Sequence, residues 1–297
     1  MTASPPPARI HAILAREAPV AVVFRRGPSK QVQMLTWDLT TDKITPGQWL
    51  KHRVYAEGAD LSPDGRHLVY TAASHNPRHG VGNGYVAISK PPFFTALALY
   101  PLTWLDGEGG VFLDNRRVWI AASRKARGGE GLLRSNGLDR VSRLSGALAP
   151  NGGHDMPGLR RDGWDLADFL NDRQYGPLAA RVWTWERPVA RGWALRRTIT
   201  HAFCERRAGL NGNWHWQAHE LYGPDGSTDL NTEWADTWQG EVLFARDGCL
   251  YRMTPGDAPH LVADLTPNTF RPIRAPYEGV SLPRPSRKRW HPLEVTR

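Results

Sequence analysis

Short apolar runs, each closed by a turn rich in Gly, Pro, Asp or Asn, recur along the chain. PVAVVF (residues 19–24) is apolar and β-branched; RRGPSK turns, QVQMLTWDL forms a second run, TTDK turns again and ITPGQWL makes a third. β-branched and aromatic residues pack well on a pleated surface, and short polar turns between them predict an antiparallel meander. Before it, PPPARIHAILAR sets Ile10, Ile13 and Leu14 at helical spacing. This predicts either a short N-terminal helix or an outer strand that closes the fold.

The same unit returns further on. GADLSPDGRHLVYTAAS holds a tight turn at Ser62-Pro63-Asp64-Gly65 that feeds a strand over residues 68–71, with each turn residue suited to its place. LTWLDGEGGVFLDNRRVWIAAS and TEWADTWQGEVLFARDGCLYRM repeat the scheme with a second turn and strand. RDGWDLADFL, with ARVWTWERP after it, is a weaker copy in which Trp164, Leu166, Phe169 and Leu170 also fit a short helix. Units beginning near residues 19, 59, 103, 163 and 232 predict an all-β radial array of about five blades, or six. The uneven spacing assigns loop insertions to 74–90, 122–163 and 205–230.

Two stretches carry a family resemblance. QMLTWDLTTDKI resembles the third-strand end of a WD repeat, where Trp-Asp precedes a polar turn, and ADLSPDGRHLVYTA resembles the first two strands of a WD-repeat or TolB-type blade. The resemblance is best over Val20 to Ser74, and the Gly-His dipeptide of a typical WD blade is missing. It implies a β-propeller-like body over 19–282, with an extension at 1–18 and a basic tail at 283–297. Propellers include scaffolds, lyases, hydrolases and lectins, so the fold alone names no activity.

Composition narrows the setting. The chain of 297 residues is long enough to bury a core. It has no run of about 18 apolar residues, so no membrane span is expected. Its start lacks a cationic segment followed by an apolar one, so no secretory signal is expected. The two cysteines, Cys204 and Cys249, are too few for a disulfide framework, which favours the cytoplasm. The net charge of +9 suits an acidic protein partner or nucleic acid. The basic residues are scattered, however, and almost all are Arg. Thirteen tryptophans read first as core between packed sheets and second as binding anchors.

The chemistry candidates follow from spacing. HAFCERRAGLNGNWHWQAHE (201–220) offers His201, Cys204, His215 and His219 at a zinc-like spacing. Trp214, Trp216 and Ala218 alternate there with His215, Gln217 and His219, and alternation predicts a strand. Strand spacing of roughly 3.3 Å per residue puts positions four apart at about 13 Å, too far for one zinc ion. No metal and no cofactor are therefore expected. His201 and Cys204, three apart on a strand, point to opposite faces, which makes Cys204 a structural thiol rather than a nucleophile. HNPRHGVGNGY, with His75 and His79, is a hairpin loop without a phosphate-loop ending. His154-Asp155 is an isolated pair.

Asp60, Asp106, Asp165 and Asp236 fall near inner-strand starts. A five-bladed propeller can gather such acids around a funnel, as glycoside hydrolases use a carboxylate pair. The reading that fits the chain as a whole is a non-enzymatic intracellular interaction module. Its binding set would be Trp214, Trp216, His215, His219, Arg78, Arg206 and Arg207, with loops on a rigid frame carrying recognition. A funnel-site enzyme and a nucleic-acid-binding protein are the alternatives.

Overall fold

Alternation of apolar positions becomes a strand wherever the pleat can bury at least one face. The computed structural model describes residues 8–27, 31–73, 84–102, 109–121, 130–144, 157–172, 180–202 and 215–278. The chain divides into two compact units, one of 1–153 with 267–297 and one of 154–266.

Three sheets make the first unit. Strands β1 (Arg9–Leu14), β2 (Val20–Arg26), β3 (Val32–Asp38) and β4 (Ile44–Leu50) lie in sequence order, as do β5 (Arg53–Leu61), β6 (Leu68–Ala73), β7 (Gly84–Ser89) and β8 (Ala96–Leu102). The third sheet holds β9 (Gly110–Phe112), β10 (Arg117–Ile120) and β11 (Asp139–Val141). β10 and β11 pair in parallel, which needs a crossover. Helix α1 (Glu130–Ser135) lies in that connection.

The second unit opens with α2 (Pro157–Arg161) and has two sheets. One runs β12 (Asp165–Asp172), β13 (Ala180–Pro188), β14 (Ala194–Ala202), β15 (His215–Gly223) and β16 (Gly226–Asp229). The other runs β17 (Trp234–Trp238), β18 (Glu241–Arg246), β19 (Cys249–Met253) and β20 (His260–Asp264). Among the described residues the fold is thus all-β, in five sheets that begin at residues 9, 53, 110, 165 and 234; of the expected unit starts, those near 163 and 232 fall close to a sheet start, and those near 19, 59 and 103 lie six to ten residues from one.

The N-terminal helix is not formed. Arg9 to Leu14 pair with Arg26 to Ala21 across β1 and β2. The two residues of β1 that are buried, Ile10 and Ala12, are two apart as a strand requires. The helical option for 164–170 also gives way to β12. The three segments assigned to loops carry regular structure as well: β7 within 74–90; α1, β11 and α2 within 122–163; and β15 and β16 within 205–230.

Local chemistry fixes the turns. At the end of β3, Asp38 Oδ1 accepts the amides of Thr40 and Thr41, and Trp37 Nε1 donates to Asp42 Oδ1 at 3.0 Å. In the 62–65 turn, Ser62 Oγ donates to Asp64 Oδ1 at 2.6 Å, and the Gly65 amide donates to Ser62 O at 2.8 Å. Gly65 has φ of +73°, and a Cβ there would lie 2.3 Å from Val20 Cγ1; both conditions call for glycine.

Tryptophan serves mainly as core. Trp37, Trp49, Trp164, Trp183, Trp185 and Trp234 are buried. In the first unit Phe94 stacks on Phe24 and meets Tyr70 edge-on at 5.4 Å, while the Tyr70 hydroxyl donates to Phe94 O. Residues 267–278 return to this unit and bind it through polar contacts. Asn268 donates to Gln33, the Tyr277 hydroxyl donates to Thr95 O, and Ile273 O accepts from Gln48.

Gln48 is fully buried. Its Nε2 donates to Ile273 O at 2.9 Å and to Thr95 Oγ1 at 3.0 Å, and its Oε1 accepts the Thr95 amide at 2.9 Å. One side chain thus joins the first sheet, the segment entering β8 and the returning chain. Gln48→Ala removes the buried acceptor of the Thr95 amide and the donor to the part-buried Ile273 carbonyl. It is expected to cost about 2–4 kcal/mol, read as a lower urea midpoint with unchanged slope.

Candidate functional site

The five-stranded sheet of the second unit has two different faces. Period-2 alternation on β14 sends Arg197 inward and Arg196 outward, although the two are adjacent in sequence. On the inner face, Leu166, Trp185, Arg197 and His219 lie opposite one another across four strands, and Phe169, Trp183, Ile199 and Gln217 form the next row. Leu166 and Phe169 share this face despite lying three apart. The register shifts between Leu166 and Asp168, so Ala167 is taken up in a bulge. That bulge makes a strand look helical in sequence.

The inner face packs on the second sheet of the unit. Arg197 is buried, donates from Nη2 to Ala235 O at 2.6 Å and lies over the Trp164 ring at 4.3 Å. Burial pushes its guanidinium down from the ordinary value, and Asp236 pulls it back up. Asp236 Oδ2 is 3.9 Å from Arg197, while Oδ1 is 2.7 Å from Arg187 Nη1 and accepts the Thr237 amide. His219 is buried beside this group, its Nδ1 3.2 Å from Thr232 Oγ1.

The outer face carries a charged row, Asp165, Glu186, Arg196, Glu220 and Asp229, one residue from each strand. Arg196 reaches both ways, to Glu186 at 2.7 Å and to Glu220 at 2.9 Å, and lies 4.5 Å over the Tyr222 ring. Another row on this face runs Leu170, Val182, Thr200 and Trp216, with Trp216 half-buried.

The two edges of this sheet contrast. β16 is Gly-Ser-Thr-Asp and exposed throughout. β12 is the other edge, and it exposes Leu166 (37%), Phe169 (46%) and Leu170 (56%), three of the five large apolar residues exposed among those described. Phe169 rests on Trp183, ring centres 5.3 Å apart. The edge was legible as an apolar cluster in sequence; its exposure was not.

The residues singled out in sequence have separate fates. Asp60 is buried on β5 and accepts the Phe112 amide of β9 at 2.6 Å, fastening one sheet to the next. Asp165 is exposed at the start of β12, and Asp236 sits between two arginines on β17. His215 and His219 both lie on β15, four positions apart along the strand, so the distance argument against a shared ion applies to that pair. His201 and His215 are register partners. Among the described residues no group of three or more His, Cys, Asp or Glu could hold a metal. Asp106, Trp214, Arg78, Arg206, Arg207, Cys204, His75, His79, the His154-Asp155 pair and the 283–297 tail lie outside the described residues.

No protein-family model matches the chain, and no curated protein matches it. Among solved structures it aligns with a PL25 polysaccharide lyase, an ulvan lyase, seen alone and bound to GlcA(1-4)Rha3S. Each alignment covers 90% of this chain and 75% of the other at 10% identity, with a TM-score of 0.22. A likeness at that level carries no argument about fold or activity.

The outer row makes a pH prediction. Burial raises the Glu186 carboxyl, but hydrogen bonds from Tyr222 and Arg196 outweigh it and hold the group below its ordinary value of 4.5. An acid with a lowered folded value stabilises the fold above the unfolded value and loses that contribution as pH falls through the folded one. Glu186→Gln should therefore weaken the protein at about pH 7 by up to ~1 kcal/mol, the scale of a partly exposed pair. The gap from wild type should narrow below the ordinary carboxylate value and vanish as pH falls through the lowered folded one, in paired urea melts.

Proposed function

We propose that this chain is a non-enzymatic interaction module, acting in the cytoplasm, and that the five sheets are the blades of a propeller-like array. The observation that carries the functional reading is the β12 edge. Leu166, Phe169 and Leu170 are exposed there on one strand, and Trp216 lies three strands away in the same outer-face row as Leu170. Proteins usually blunt such edges with charge, proline, a bulge or a cover; β12 has aspartates and the bulge at Ala167 but no lysine and no proline, and its apolar side chains stay exposed. An apolar edge beside a rigid sheet suits a macromolecular partner. The low cysteine count supports the cytoplasmic setting.

Two of the acids considered for a funnel-site enzyme have structural work. Asp60 accepts a backbone amide, and Asp236 is held by Arg187 and Arg197. Neither observation favours glycoside chemistry.

The test is a comparison within the native host. Tagged wild type and a Leu170→Asp variant, matched by circular dichroism, are crosslinked and purified in parallel. A protein recovered with wild type and lost, or reduced on the order of tenfold, with Leu170→Asp is expected. Equal recovery from both, or none from either, ends the reading.

A further inference from the structure

We infer that Arg9, Arg26 and Arg53 form an anion site in the first unit, and that its ligand is the dianionic group of a phosphate monoester. The site lies apart from β12 in the chain and adds a ligand to the interaction reading. Alternation on β2 puts Val22, Phe24 and Arg26 on one face. Val22 and Phe24 are buried there in one apolar cluster with Leu61, Leu68 and Tyr70 of the next sheet. The row through Arg26 runs Arg9, Arg26, Val32 and Leu50 across the four strands. Val32 and Leu50 are buried, Arg26 is half-buried and Arg9 is exposed. Two cations thus sit side by side at the end of a row whose other half is apolar. Like charges directly opposite are destabilising.

β5, an edge strand of the second sheet, packs beside β1. It brings a third cation, Arg53, whose guanidinium lies 4.8 Å over the Tyr55 ring. Burial holds the Arg26 guanidinium below its ordinary value; the charges of Arg53 and Arg9 push it lower, and those of Glu57 and Tyr55 act the other way. Arg25, the next residue along, shows a settled arginine: it is buried, donates to Gly27 O at 2.7 Å and lies over Trp49. Among the described residues no carboxylate pairs with Arg9, Arg26 or Arg53. In sequence, the flanking residues 1–7 and 28–30 contain no Asp or Glu. Three arginines and the single carboxylate of Glu57 leave a local balance of two positive charges. A phosphate monoester carries about −1.5 to −2 near pH 7 and presents three acceptor oxygens, which guanidinium forks bind in pairs. A phosphodiester carries one charge per phosphate and is gripped by cations spread along a track, whereas these converge.

The probe is inorganic phosphate, exchanged for chloride at constant ionic strength while the melting temperature of the full chain is followed. A saturable rise is expected, because a ligand that binds only the folded chain stabilises it. The half-saturating concentration should increase roughly threefold or more with Arg9→Gln, and on the order of tenfold or more with Arg26→Gln plus Arg53→Gln. Arg116→Gln with Arg134→Gln removes two exposed arginines of the same unit and should leave it unchanged. In chloride alone, Arg9→Gln should melt no lower than wild type, since it relieves a repulsion. Dimethyl phosphate, a singly charged diester, should require on the order of tenfold more than phosphate. Acetylated phosphoserine amide and glycerol phosphate then separate a phosphorylated side chain from a small phosphorylated molecule, the source being the one that half-saturates lower. No saturable rise in wild type, an equal loss with the Arg116 and Arg134 pair, or dimethyl phosphate as effective as phosphate would overturn the inference. None of these variants touches β12, so that failure leaves the Leu170-dependent reading standing, and failure of that reading leaves this site standing.

Discussion

Three buried polar side chains each reach from one sheet to the main chain of the next, and the layering within each unit depends on them. In the first unit Gln48 on β4 bonds the Thr95 amide ahead of β8, and Asp60 on β5 accepts the Phe112 amide on β9. In the second, Arg197 on β14 donates to Ala235 O on β17. Apolar packing between sheets is strong but non-directional, and it tolerates sliding by a residue. A polar group committed to one backbone atom does not. Removed from water, such a bond is costly to break, so a slip carries a desolvation cost at both of its ends. The apolar clusters supply the bulk of the stabilisation, and these few bonds choose the register in which it is realised.

That division explains what could be read from the chain. β2, β3 and β4 follow directly from PVAVVF, QVQMLTWDL and ITPGQWL, because period-2 burial is written into residue type and the turns into Gly, Pro and Asp. β1 and β12 were ambiguous for a physical reason. In β1 the small Ala12 is the buried partner of Ile10, so the larger Ile13 and Leu14 suggested a helical face that the sheet does not use. In β12 the bulge at Ala167 lets Leu166 and Phe169 share a face at a spacing of three. The polar cross-sheet bonds were less accessible still. Asp60 and Asp236 were noticed, as acids at strand starts, but their partners are a backbone amide 52 residues away and arginines 49 and 39 residues away. Arg196 and Arg197 look identical in sequence; a single step of the pleat makes one a surface ion-pair centre and the other a buried inter-sheet donor.

Net charge was a poor guide for the same reason. A total of +9 invites an acidic partner, yet charge acts locally. At physiological salt the Debye length is about 8 Å, so a ligand at the β12 edge responds to the residues of that strand and its neighbours, not to the chain-wide sum. There the balance is acidic, and the one cation in the outer row, Arg196, is shared between Glu186 and Glu220. Each of these half-exposed pairs contributes little to stability.

A flat edge has a further property that bears on the proposed partner. Main-chain bonding supplies affinity without reading sequence, so selectivity must come from the side chains that flank the ladder. At β12 these are few: a ring supported from beneath by Trp183, an exposed leucine, and the carboxylate of Asp168. Phe169 is held by its contact with Trp183, so docking costs little additional ordering there. The bulge at Ala167 limits the regular ladder to residues 168–172, too short for indiscriminate sheet growth and long enough for a short peptide. The feature that obscured this strand in the sequence is therefore the one that makes an open apolar edge tolerable in the folded protein.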